Sequence, residues 1–320
     1  MVHIFMATYN GERFLGPQID SILAQTVTDW RLYIRDDCSK DGTRAVIRQY
    51  AERYPEKIVF VPSEWPSGGA MENFFTLMRE YAALSGYFMF SDQDDIWLPE
   101  KIERSLAGMC RLEKTYGLEK PLLIHTDLSV ADAKLNILEP SFERFQKLEY
   151  ERNSLSALLQ QNNITGCTML FNRPLLELSL VEDTGGILMH DWWMGLVAAA
   201  FGAVGTVPEP TILYRQHGGN EVGAKNVKSP AYLLAQCRKF FGNENRFAKT
   251  HAQAARFLRE YETRLTESQK ELVNAFLSLP SASGRRRLSL VRRYGFSCQG
   301  KMRRLAQRAA YLITPRAKNK

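Results

Sequence analysis

The first 130 residues alternate between short apolar runs and longer segments in which apolar residues recur at helical spacing. The apolar runs predict strands at residues 2–6, 30–34, 58–61, 87–90 and 122–125. The longer segments predict helices at residues 14–25, 41–54, 71–83 and 99–116. This alternation predicts an α/β fold built on a parallel sheet with helices on both faces, in which ligands bind beyond the carboxyl ends of the strands.

The rest of the chain is less regular. Residues 128–215 predict helices at 154–161 and 190–201 and strands at 168–171 and 211–215, and from about residue 230 the pattern is helical. No apolar run reaches the roughly 18 residues of a membrane span. The N-terminus lacks the charged region and cleavage site of a signal peptide, and the five cysteines are scattered. These features predict a reduced, cytoplasmic protein without a zinc knuckle.

The net charge of +7 comes from one end of the chain. Residues 281–320 hold 12 Lys or Arg and no Asp or Glu, so the other residues are net acidic. The tail mixes basic and apolar residues: Arg285, Arg286, Arg287, Arg292, Arg293, Arg303 and Arg304 with Leu288, Leu290, Val291, Tyr294, Phe296, Leu305 and Leu312. This composition predicts a segment that docks on an anionic membrane surface, with its helical register interrupted at Gly295 and Gly300. A solvated tail of chance basicity is the alternative.

Residues 91–95 read Ser-Asp-Gln-Asp-Asp directly after a predicted strand. Three carboxylates this close repel one another unless a cation or hydrogen-bond donors compensate. A divalent cation with oxygen ligands, together with a diphosphate, provides that compensation. The alternative is a solvated acidic turn that caps the next helix.

Two other acidic residues are candidates for ligand binding or catalysis. Asp37 follows Asp36 after the second predicted strand, where a carboxylate can accept hydrogen bonds from a base or ribose. The same segment could equally cap the following helix. Asp191 opens a predicted helix beside aromatic residues, where partial desolvation favours a general base. A helix cap followed by core tryptophans is the alternative.

Residues 214–220 end a predicted strand in a loop that contains glycine. In this loop Arg215 suits phosphate, and His217 suits phosphate or a metal, although most loop histidines have neither role. Residues 67–69, Ser-Gly-Gly, match no dinucleotide or Walker fingerprint. These residues favour a turn in which the backbone lies close to other groups at the edge of a site, rather than a loop that binds phosphate.

Six motifs occur together in a recognisable order: ATYNGE at 7–12, RDDCSKDGT at 35–43, SDQDDIW at 91–97, NITGCTM at 163–169, HDWW at 190–193 and YRQHGGN at 214–220. With them the chain resembles the family-two glycosyltransferases of the GT-A fold, and within these the bacterial rhamnosyltransferases of rhamnose-rich cell-wall polysaccharides. The resemblance is strong over about residues 1–225 and loose in the tail. One departure is the usual Asn-Leu-Gly turn, which reads Pro-Ser-Gly-Gly at residues 66–69.

The resemblance implies a Rossmann-like mixed sheet flanked by helices, with a helical, basic C-terminal extension. The GT-A domain is expected over residues 1–225, divided into a nucleotide-sugar half (1–130) and an acceptor half (131–225), and the helical region over 226–320. The nucleotide-sugar is expected to contact Thr8, Tyr9, Asn10, Glu12, Asp37, Asp92 and Arg215. The metal, Mn²⁺ or Mg²⁺, is expected to bind Asp94, Asp92 and His217. The catalytic base is expected to be Asp191, with Asp95, His190, Trp192 and Trp193 on the acceptor side.

The reaction that the resemblance implies is an inverting transfer. The metal neutralises charge on the departing nucleoside diphosphate while Asp191 removes a proton from the acceptor hydroxyl. From dTDP-β-L-rhamnose the product is an α-linkage, made on a lipid-linked saccharide at the inner face of the cell membrane. The oligomeric state is open, and a homo-oligomer is compatible with the sequence.

Three alternatives remain at this stage. The donor could be a UDP-hexose used by the same fold, because nucleotide contacts are shared. The chain could be a nucleic-acid-binding protein, but its basic tail lacks the interleaved aromatic platform of single-strand binders. It could be a catalytically dead member of a complex, against which the acidic residues Asp94 and Asp191 argue.

Overall fold

The structure is a computed structural model that describes residues 1–217 and 245–313. Within these residues the chain forms two compact units. The sheet unit comprises residues 1–142, 164–182 and 201–217, and the helical unit comprises residues 143–163, 183–200 and 245–313. The domain boundary expected at residue 225, residues 218–220 of the last motif, and residues 314–320 of the tail lie outside the described residues.

The described strands form one mixed sheet in the sheet unit. They are β1 (Val2–Thr8), β2 (Trp30–Asp36), β3 (Ile58–Val61), β4 (Tyr87–Ser91), β5 (Ile96–Trp97), β6 (Leu122–Ala131), β7 (Ile137–Glu139), β8 (Met169–Asn172) and β9 (Ala203–Arg215). Their order is β3-β2-β1-β4-β8-β6-β9-β5, and β7 pairs with β6. Strands β1 to β4 pair in parallel, as do β6 and β9, whereas β8 is antiparallel to both of its neighbours.

The described helices divide between the two units. The sheet unit contains α1 (Glu12–Leu23), α2 (Thr43–Arg53), α3 (Ala70–Glu80), α4 (Lys101–Tyr116) and α7 (Arg173–Ser179). The short helix α5 (Phe142–Gln146) leads into the helical unit. That unit is built mainly from α6 (Leu155–Gln160), α8 (His190–Phe201), α9 (Asn245–Tyr261), α10 (Glu267–Leu277), α11 (Gly284–Tyr294) and α12 (Lys301–Ile313).

The mixed sheet that the resemblance implies is confirmed, and so is the helical C-terminal region. The parallel sheet predicted from strand–helix alternation is wrong at β5 and β7, which pair antiparallel with β9 and β6, and at β8, which enters antiparallel between β4 and β6. Its direction could not be read from the alternation, because residues 169–172 come late in the chain, outside the alternating region. Strands β6 and β9 are also longer than predicted, since they pair with each other over most of their lengths.

Strand β6 is the most enclosed part of the sheet unit. All ten of its residues are buried, because β8 and β9 pair with its two edges and α4 packs against it. His125 lies within this strand, and burial lowers its pKa to about 3. On β4 and β8, the rings of Phe90 and Phe171 pack with centroids 4.9 Å apart. The centre of the sheet unit is therefore a closely packed interior around β6, β4 and β8.

Part of the tail belongs to the core of the helical unit, which corrects the sequence prediction for these residues. Leu290, Val291 and Phe296 are buried, and Arg287 is 1% exposed. The Arg287 guanidinium donates hydrogen bonds to the carbonyl oxygens of three residues, Leu279, Pro280 and Tyr311. These contacts join α10, α11 and α12, because a buried guanidinium needs acceptors. The predicted interruptions at Gly295 and Gly300 are confirmed, with φ of 78° and 79°.

A different set of tail residues is exposed. Met302, Leu305 and Leu312 are 58%, 63% and 55% exposed on α12. Their spacing of three and seven residues places them on one face of the helix. In the part of the chain that the structure describes, no helix is long and apolar enough to cross a membrane.

Candidate active site

The carboxyl ends of three parallel strands bring polar motifs to one edge of the sheet unit. In register, Thr8 of β1 lies beside Asp36 of β2, and Met6 of β1 lies beside Ser91 of β4. The turns after these strands therefore adjoin. This is the edge at which ligands bind in open α/β sheets.

The two acidic residues after β2 have different surroundings. Asp36 is fully buried, and its Oδ1 accepts a hydrogen bond from Thr8 Oγ1 at 3.1 Å. Asp37 accepts a hydrogen bond from the backbone N–H of Ser67, and its Oδ1 lies 3.5 Å from Nη1 of Arg35. Asp36 therefore supports the end of β1, while Asp37 holds the segment that departs from the family pattern. The predicted contact of Asp37 with a base stays a prediction.

The side chains of Asn10 and Glu12 brace the turn after β1 against the turn after β2. The Asn10 N–H donates to Ser39 Oγ at 2.8 Å, and Asn10 Oδ1 accepts the Lys40 N–H at 2.9 Å. Oε2 of Glu12 accepts the Gly42 N–H at 2.9 Å. The side chains of Asn10 and Glu12 thus each accept a backbone N–H of the second turn. The predicted contacts of these two residues with a nucleotide-sugar stay predictions.

Gln93, in the middle of the acidic motif, clamps that motif to the turn after β1. Its Oε1 accepts the Tyr9 N–H at 3.0 Å, and its Nε2 donates to the Tyr9 carbonyl oxygen at 3.0 Å. A Cβ atom on Gly11 would lie 2.1 Å from Oε1 of Gln93. Residue 11 must therefore be glycine for the amide to reach the backbone. The Tyr9 side chain itself is 52% exposed.

A cleft of about 730 Å³ opens beside these turns, which is within the range of small-molecule sites. It is lined by Tyr9, Asn10, Glu12, Arg13, Phe14, Asp41, Gln93 and His217. Four of these were expected from the sequence as nucleotide-sugar or metal contacts, so the fold brings those four together around one cavity. The cleft has an aromatic and charged lining of the kind that suits a sugar nucleotide.

His217 joins the end of β9 to the acidic turn after β4. Its Nε2 lies 2.7 Å from Oδ2 of Asp94, and its ring stacks on Phe14 with centroids 4.5 Å apart. Arg215 also packs over Phe14, at 5.0 Å from the ring centroid, and its Nε donates to the Asp94 carbonyl oxygen at 2.8 Å. The Phe14 ring therefore contacts the side chains of both Arg215 and His217.

Asp95 lies inside the sheet unit rather than on its surface. It is 0% exposed, and its Oδ1 accepts the Arg215 N–H at 3.2 Å. Burial raises the pKa of Asp95 well above its usual range, and the charges of Asp92 and Asp94 raise it further. Burial likewise raises the pKa of the Cys167 thiol. The predicted place of Asp95 on the acceptor side stays a prediction.

The three acidic residues of this turn meet different partners. Asp94 meets His217, whereas potential ligand atoms of Asp92, Asp95 and Cys167 all lie within 4.8 Å of one another. Carboxylate oxygens suit Mg²⁺ and Mn²⁺ and imidazole is a frequent metal ligand, so the side-chain types of Asp94 and His217 suit a divalent cation. Asp92 lies with Asp95 and Cys167, and its predicted grouping with Asp94 and His217 around a metal stays a prediction. The side chains of Asp94 and His217 remain 14% and 16% exposed, and His217 lines the cleft.

Asp191 is the second residue of α8 and belongs to the helical unit. Its Oδ1 accepts the Trp192 N–H at 2.5 Å and a hydrogen bond from Asn162 Nδ2 at 3.3 Å. The side chain is thus held in one orientation near the start of a helix. Its role as a base stays a prediction.

The neighbours of Asp191 are largely core residues of the helical unit. His190 is buried, and burial lowers its pKa to about 3. Trp193 is fully buried and packs against Phe257 and Tyr261, with ring centroids 5.8 and 5.7 Å away. Trp192 is only partly buried, and its Nε1 donates to a backbone carbonyl of α6 at 2.6 Å. The acceptor contacts expected of these residues stay predictions.

Sequence reasoning missed several residues of this edge. Phe14 lies in a predicted helix, and neither it nor Arg13 nor Gln93 was expected at the site, although all three line the cleft. Lys101 and Cys167 were also missed, although both lie in the interior beside Asp95. A signal was present for Gln93: an amide between two carboxylates is suited to donate and accept at once.

Comparison with known proteins identifies the family. The model of the family described as "Glycosyl transferase family 2" matches residues 3–177, more than half of the chain. The dTDP-rhamnosyl transferase RfbG of Shigella flexneri is 28% identical over 68% of this chain and 74% of its own length. The UDP-Glc:alpha-D-GlcNAc-diphosphoundecaprenol beta-1,3-glucosyltransferase WfgD of Escherichia coli is 29% identical over 55% of this chain and 62% of its own length.

Two solved structures share the fold. TarS 1-349 of S. aureus aligns with a TM-score of 0.56 at 16% identity, covering 94% of this chain and 75% of TarS 1-349. The mannosyltransferase PcManGT of Pyrobaculum calidifontis, in complex with GDP-Man and Mn²⁺, aligns with a TM-score of 0.54 at 16% identity, covering 98% of this chain and 84% of its own. At this identity the likeness shows the GT-A fold alone. The match to the family model shows that the chain belongs to glycosyl transferase family 2 and is a glycosyltransferase.

Proposed function

We propose that this glycosyltransferase moves L-rhamnose from dTDP-β-L-rhamnose, with inversion, onto a lipid-linked saccharide in cell-surface polysaccharide synthesis. The observation that carries the proposal is the contact of Asp94 with His217, a residue that lines the cleft. It unites two residues from distant motifs at the edge where a nucleotide-sugar is expected. Support for the sugar comes from the likeness to the Shigella dTDP-rhamnosyl transferase.

A UDP-hexose is the second candidate donor. The likeness to the E. coli enzyme named for UDP-Glc supports it. That enzyme's name also includes a diphosphoundecaprenol acceptor, which supports a lipid-linked acceptor here. A panel of nucleotide-sugars offered with such an acceptor separates the two donors.

The donor is proposed to lie in the cleft. Tyr9 is exposed there and can contact the base or ribose, while Thr8 and Asn10 hold the turn that carries it. Asp37 and Glu12 belong to the same pair of turns. We place the diphosphate beside Arg215, His217 and Asp92, because basic side chains and a cation site suit its charge.

Asp94, Asp92 and His217 would hold a divalent cation, Mn²⁺ or Mg²⁺. A cation bound there supplies charge neutralisation for the leaving nucleoside diphosphate. The Mn²⁺ in the name of the mannosyltransferase structure supports this choice of metal.

Asp191 is proposed as the general base. It takes the proton of the acceptor hydroxyl as that oxygen forms a bond to the anomeric carbon. The bond from that carbon to the diphosphate oxygen breaks on the opposite face, and the nucleoside diphosphate leaves with the electron pair. One displacement inverts the centre, so a β-linked donor gives an α-linked product.

The protein is proposed to work at the inner face of the cell membrane. On α12 an exposed apolar face of Met302, Leu305 and Leu312 is bordered by exposed Lys301 and Arg308. Apolar residues that can enter the headgroup boundary, next to cations that attract anionic lipid, are the two elements of interfacial binding. This face replaces the wider tail surface expected from the sequence.

A further inference from the structure

Trp65 lies in the turn after β3 and is 77% exposed. Tryptophan is a highly buried residue type on average, and an indole that becomes covered buries a large apolar area. Trp30, Trp97 and Trp193 follow this rule and are buried. The Trp65 ring differs from them, because it is presented to solvent at the edge of the sheet where ligands bind.

The segment that carries Trp65 is bonded at both ends to the turn after β2. On one side, Oγ of Ser63 donates a hydrogen bond to the Asp36 carbonyl oxygen. On the other side, the Ser67 N–H donates to Oδ1 of Asp37. Trp65 is therefore the middle residue of a five-residue segment whose ends are bonded to two consecutive residues. Its backbone cannot move far from Asp37 while these bonds hold.

Pro66 restrains the segment further. A proline fixes its own φ at about −65° and disfavours the helical region for the residue before it, here Trp65. A ring carried on a restrained backbone loses less conformational entropy when it binds a ligand. Residues 66–69 are also where this chain departs from the Asn-Leu-Gly turn of the family, so this setting of the indole is a property of this chain.

The position of the segment along the sheet edge suits one end of a nucleotide. Strands β3, β2, β1 and β4 pair in parallel in that order, so the turns that follow them lie in the same order along the carboxyl edge. Three strand spacings, about 14 Å, separate the acidic turn after β4 from the turn after β3. An extended nucleoside diphosphate has a comparable length. A donor whose diphosphate lies at the acidic turn, as proposed above, can therefore reach Trp65 with its base.

The surroundings of the indole suit an uncharged planar group. Asp36 lies 3.6 Å from Nε of Arg44, and Asp37 lies 3.5 Å from Nη1 of Arg35, so these four charges are balanced in pairs. Glu64, the residue before Trp65, is exposed and adds a negative charge. An anionic lipid surface would be repelled by that charge, whereas a nucleobase would not.

There is also room beside the segment. A Cβ atom built on Gly68 or on Gly69 would meet no atom of the described residues within 4 Å. This side of the turn therefore borders open space rather than the packed interior.

We propose that the indole of Trp65 stacks on the nucleobase of the donor. The inference rests on the proposed function for a nucleotide-sugar as the ligand, but not for the identity of the sugar. Every base has a π-face, so stacking adds affinity without choosing between thymine and uracil. The same residue therefore serves dTDP-linked and UDP-linked donors.

The first test measures the affinity for dTDP and for UDP, each with Mn²⁺, by calorimetry. We expect Trp65→Ala to weaken both roughly tenfold or more, the usual effect of removing an aromatic ring from a base. Trp65→Phe keeps a ring and should recover most of the affinity. Tyr116→Ala removes an exposed aromatic residue at the end of α4 and should bind as the wild type does. Wild-type affinity in Trp65→Ala overturns the proposal.

Inorganic pyrophosphate with Mn²⁺ separates the base from the diphosphate. It has no base, so the wild type and Trp65→Ala should bind it equally. An equal loss for pyrophosphate and for dTDP would mean that the variant disturbs the diphosphate site, and would overturn stacking. Flotation with anionic vesicles is measured on the same variants. Loss of flotation with unchanged nucleotide affinity would assign the indole to a lipid surface and also overturn the proposal.

A fluorescence measurement follows the indole itself. The difference between the emission of the wild type and that of Trp65→Phe reports Trp65. Saturating dTDP with Mn²⁺ should protect this emission from quenching by acrylamide, because a stacked base covers one face of the ring. Unchanged quenching in saturating dTDP contradicts the proposal even if Trp65→Ala does not fold.

GDP and ADP, each with Mn²⁺, distinguish a failure of this inference from a failure of the proposed function. Tighter binding of GDP or ADP than of dTDP and UDP would contradict the proposed donors, and loss of that affinity in Trp65→Ala would still support stacking. Binding of dTDP that Trp65→Ala leaves unchanged overturns stacking alone. If the wild type binds pyrophosphate as tightly as every nucleoside diphosphate, the base adds no affinity and the inference is wrong.

Discussion

Nε2 of His217 lies 2.7 Å from Oδ2 of Asp94, although the two residues are 123 positions apart in the chain. The contact forms because β9 ends beside the turn after β4, and because Phe14 supports the His217 ring from α1. A carboxylate and an imidazole in contact beside a cleft that the imidazole lines are ligand types that a divalent cation can use. The two side chains are therefore expected to act together on the donor.

The Gln93 clamp predicts an effect of one added methyl group. Gly11→Ala should displace the Gln93 amide, because the new Cβ would lie 2.1 Å from Oε1. We expect nucleotide affinity to fall and the unfolding free energy to drop by about 1–3 kcal/mol, as in other overpacked sites. Calorimetry and urea unfolding measure the two effects.

Two further variants test the cause. Gly16→Ala, inside α1, places a Cβ atom at an ordinary 3.6 Å from its nearest atom and should be neutral or slightly stabilising. Adding Gln93→Ala to Gly11→Ala should recover stability, because the obstructing amide is removed. If the double variant is less stable than Gly11→Ala, the clash is not the cause.

Asp191→Asn should separate binding from turnover. The amide keeps an oxygen for the Trp192 N–H and nearly the same shape, so the helical unit should stay folded. We expect the rate of transfer to fall by roughly 10²–10⁴, the usual contribution of a general base, with donor affinity unchanged. Glu262→Gln removes an exposed carboxylate of the same unit and serves as the control. Lost affinity with unchanged turnover would make Asp191 a binding residue.

The two buried histidines predict a loss of stability in acid. The folded pKa of His125 and of His190 is about 3, below the usual 6.5, so the unfolded chain binds more protons between these values. Stability is therefore fully present above pH 6.5 and falls as the pH drops, by ~1.4 kcal/mol per pH unit for each histidine. Urea unfolding at pH 7 and pH 5 should show a smaller decrease for His125→Gln than for the wild type. Equal decreases would mean that His125 is protonated in the fold.

The exposed face of α12 predicts binding to anionic vesicles. Replacing Met302, Leu305 and Leu312 by serine should reduce flotation with anionic vesicles at least tenfold, because each apolar side chain that enters the boundary contributes on the order of 1 kcal/mol. Leu118→Ser is the matched control, since Leu118 and Leu305 are both 63% exposed. Neutral vesicles should bind the wild type weakly. Equal flotation of the triple variant would exclude α12 as the docking face.

The positions of the early strands along the chain could be predicted from the sequence, whereas the contacts between distant segments could not. The run at residues 2–6 and its partners alternate with helices, so periodicity alone located β1 to β4. The direction of β8 and the burial of Arg287 depend on contacts between distant segments, which local pattern does not contain. A truncation after Pro280 would remove the Arg287 contacts and expose core residues, so point variants on α12 are the better test of membrane binding.

The same limit applies to the site. Asp94 and His217 could be named from motifs, because their residue types suit a metal and a diphosphate. The roles of Asn10 and Glu12 as braces appear only when the Ser39–Gly42 segment is placed beside them. Lys101 looks like an ordinary helix-start lysine in the sequence, but it is completely buried, with its Nζ 4.7 Å from the centroid of the Trp97 ring.

The most direct test of the proposed reaction is product analysis with dTDP-β-L-rhamnose, UDP-glucose and UDP-GlcNAc, each offered with a polyprenyl-diphosphate-linked saccharide and Mn²⁺. We expect rhamnose to be transferred in an α-linkage, transfer to stop in EDTA and resume with excess Mn²⁺, and Asp94→Ala to be inactive while Glu52→Ala, an exposed acidic position, is active. Transfer from a UDP-hexose in preference to dTDP-β-L-rhamnose, or full activity in EDTA, would contradict the account.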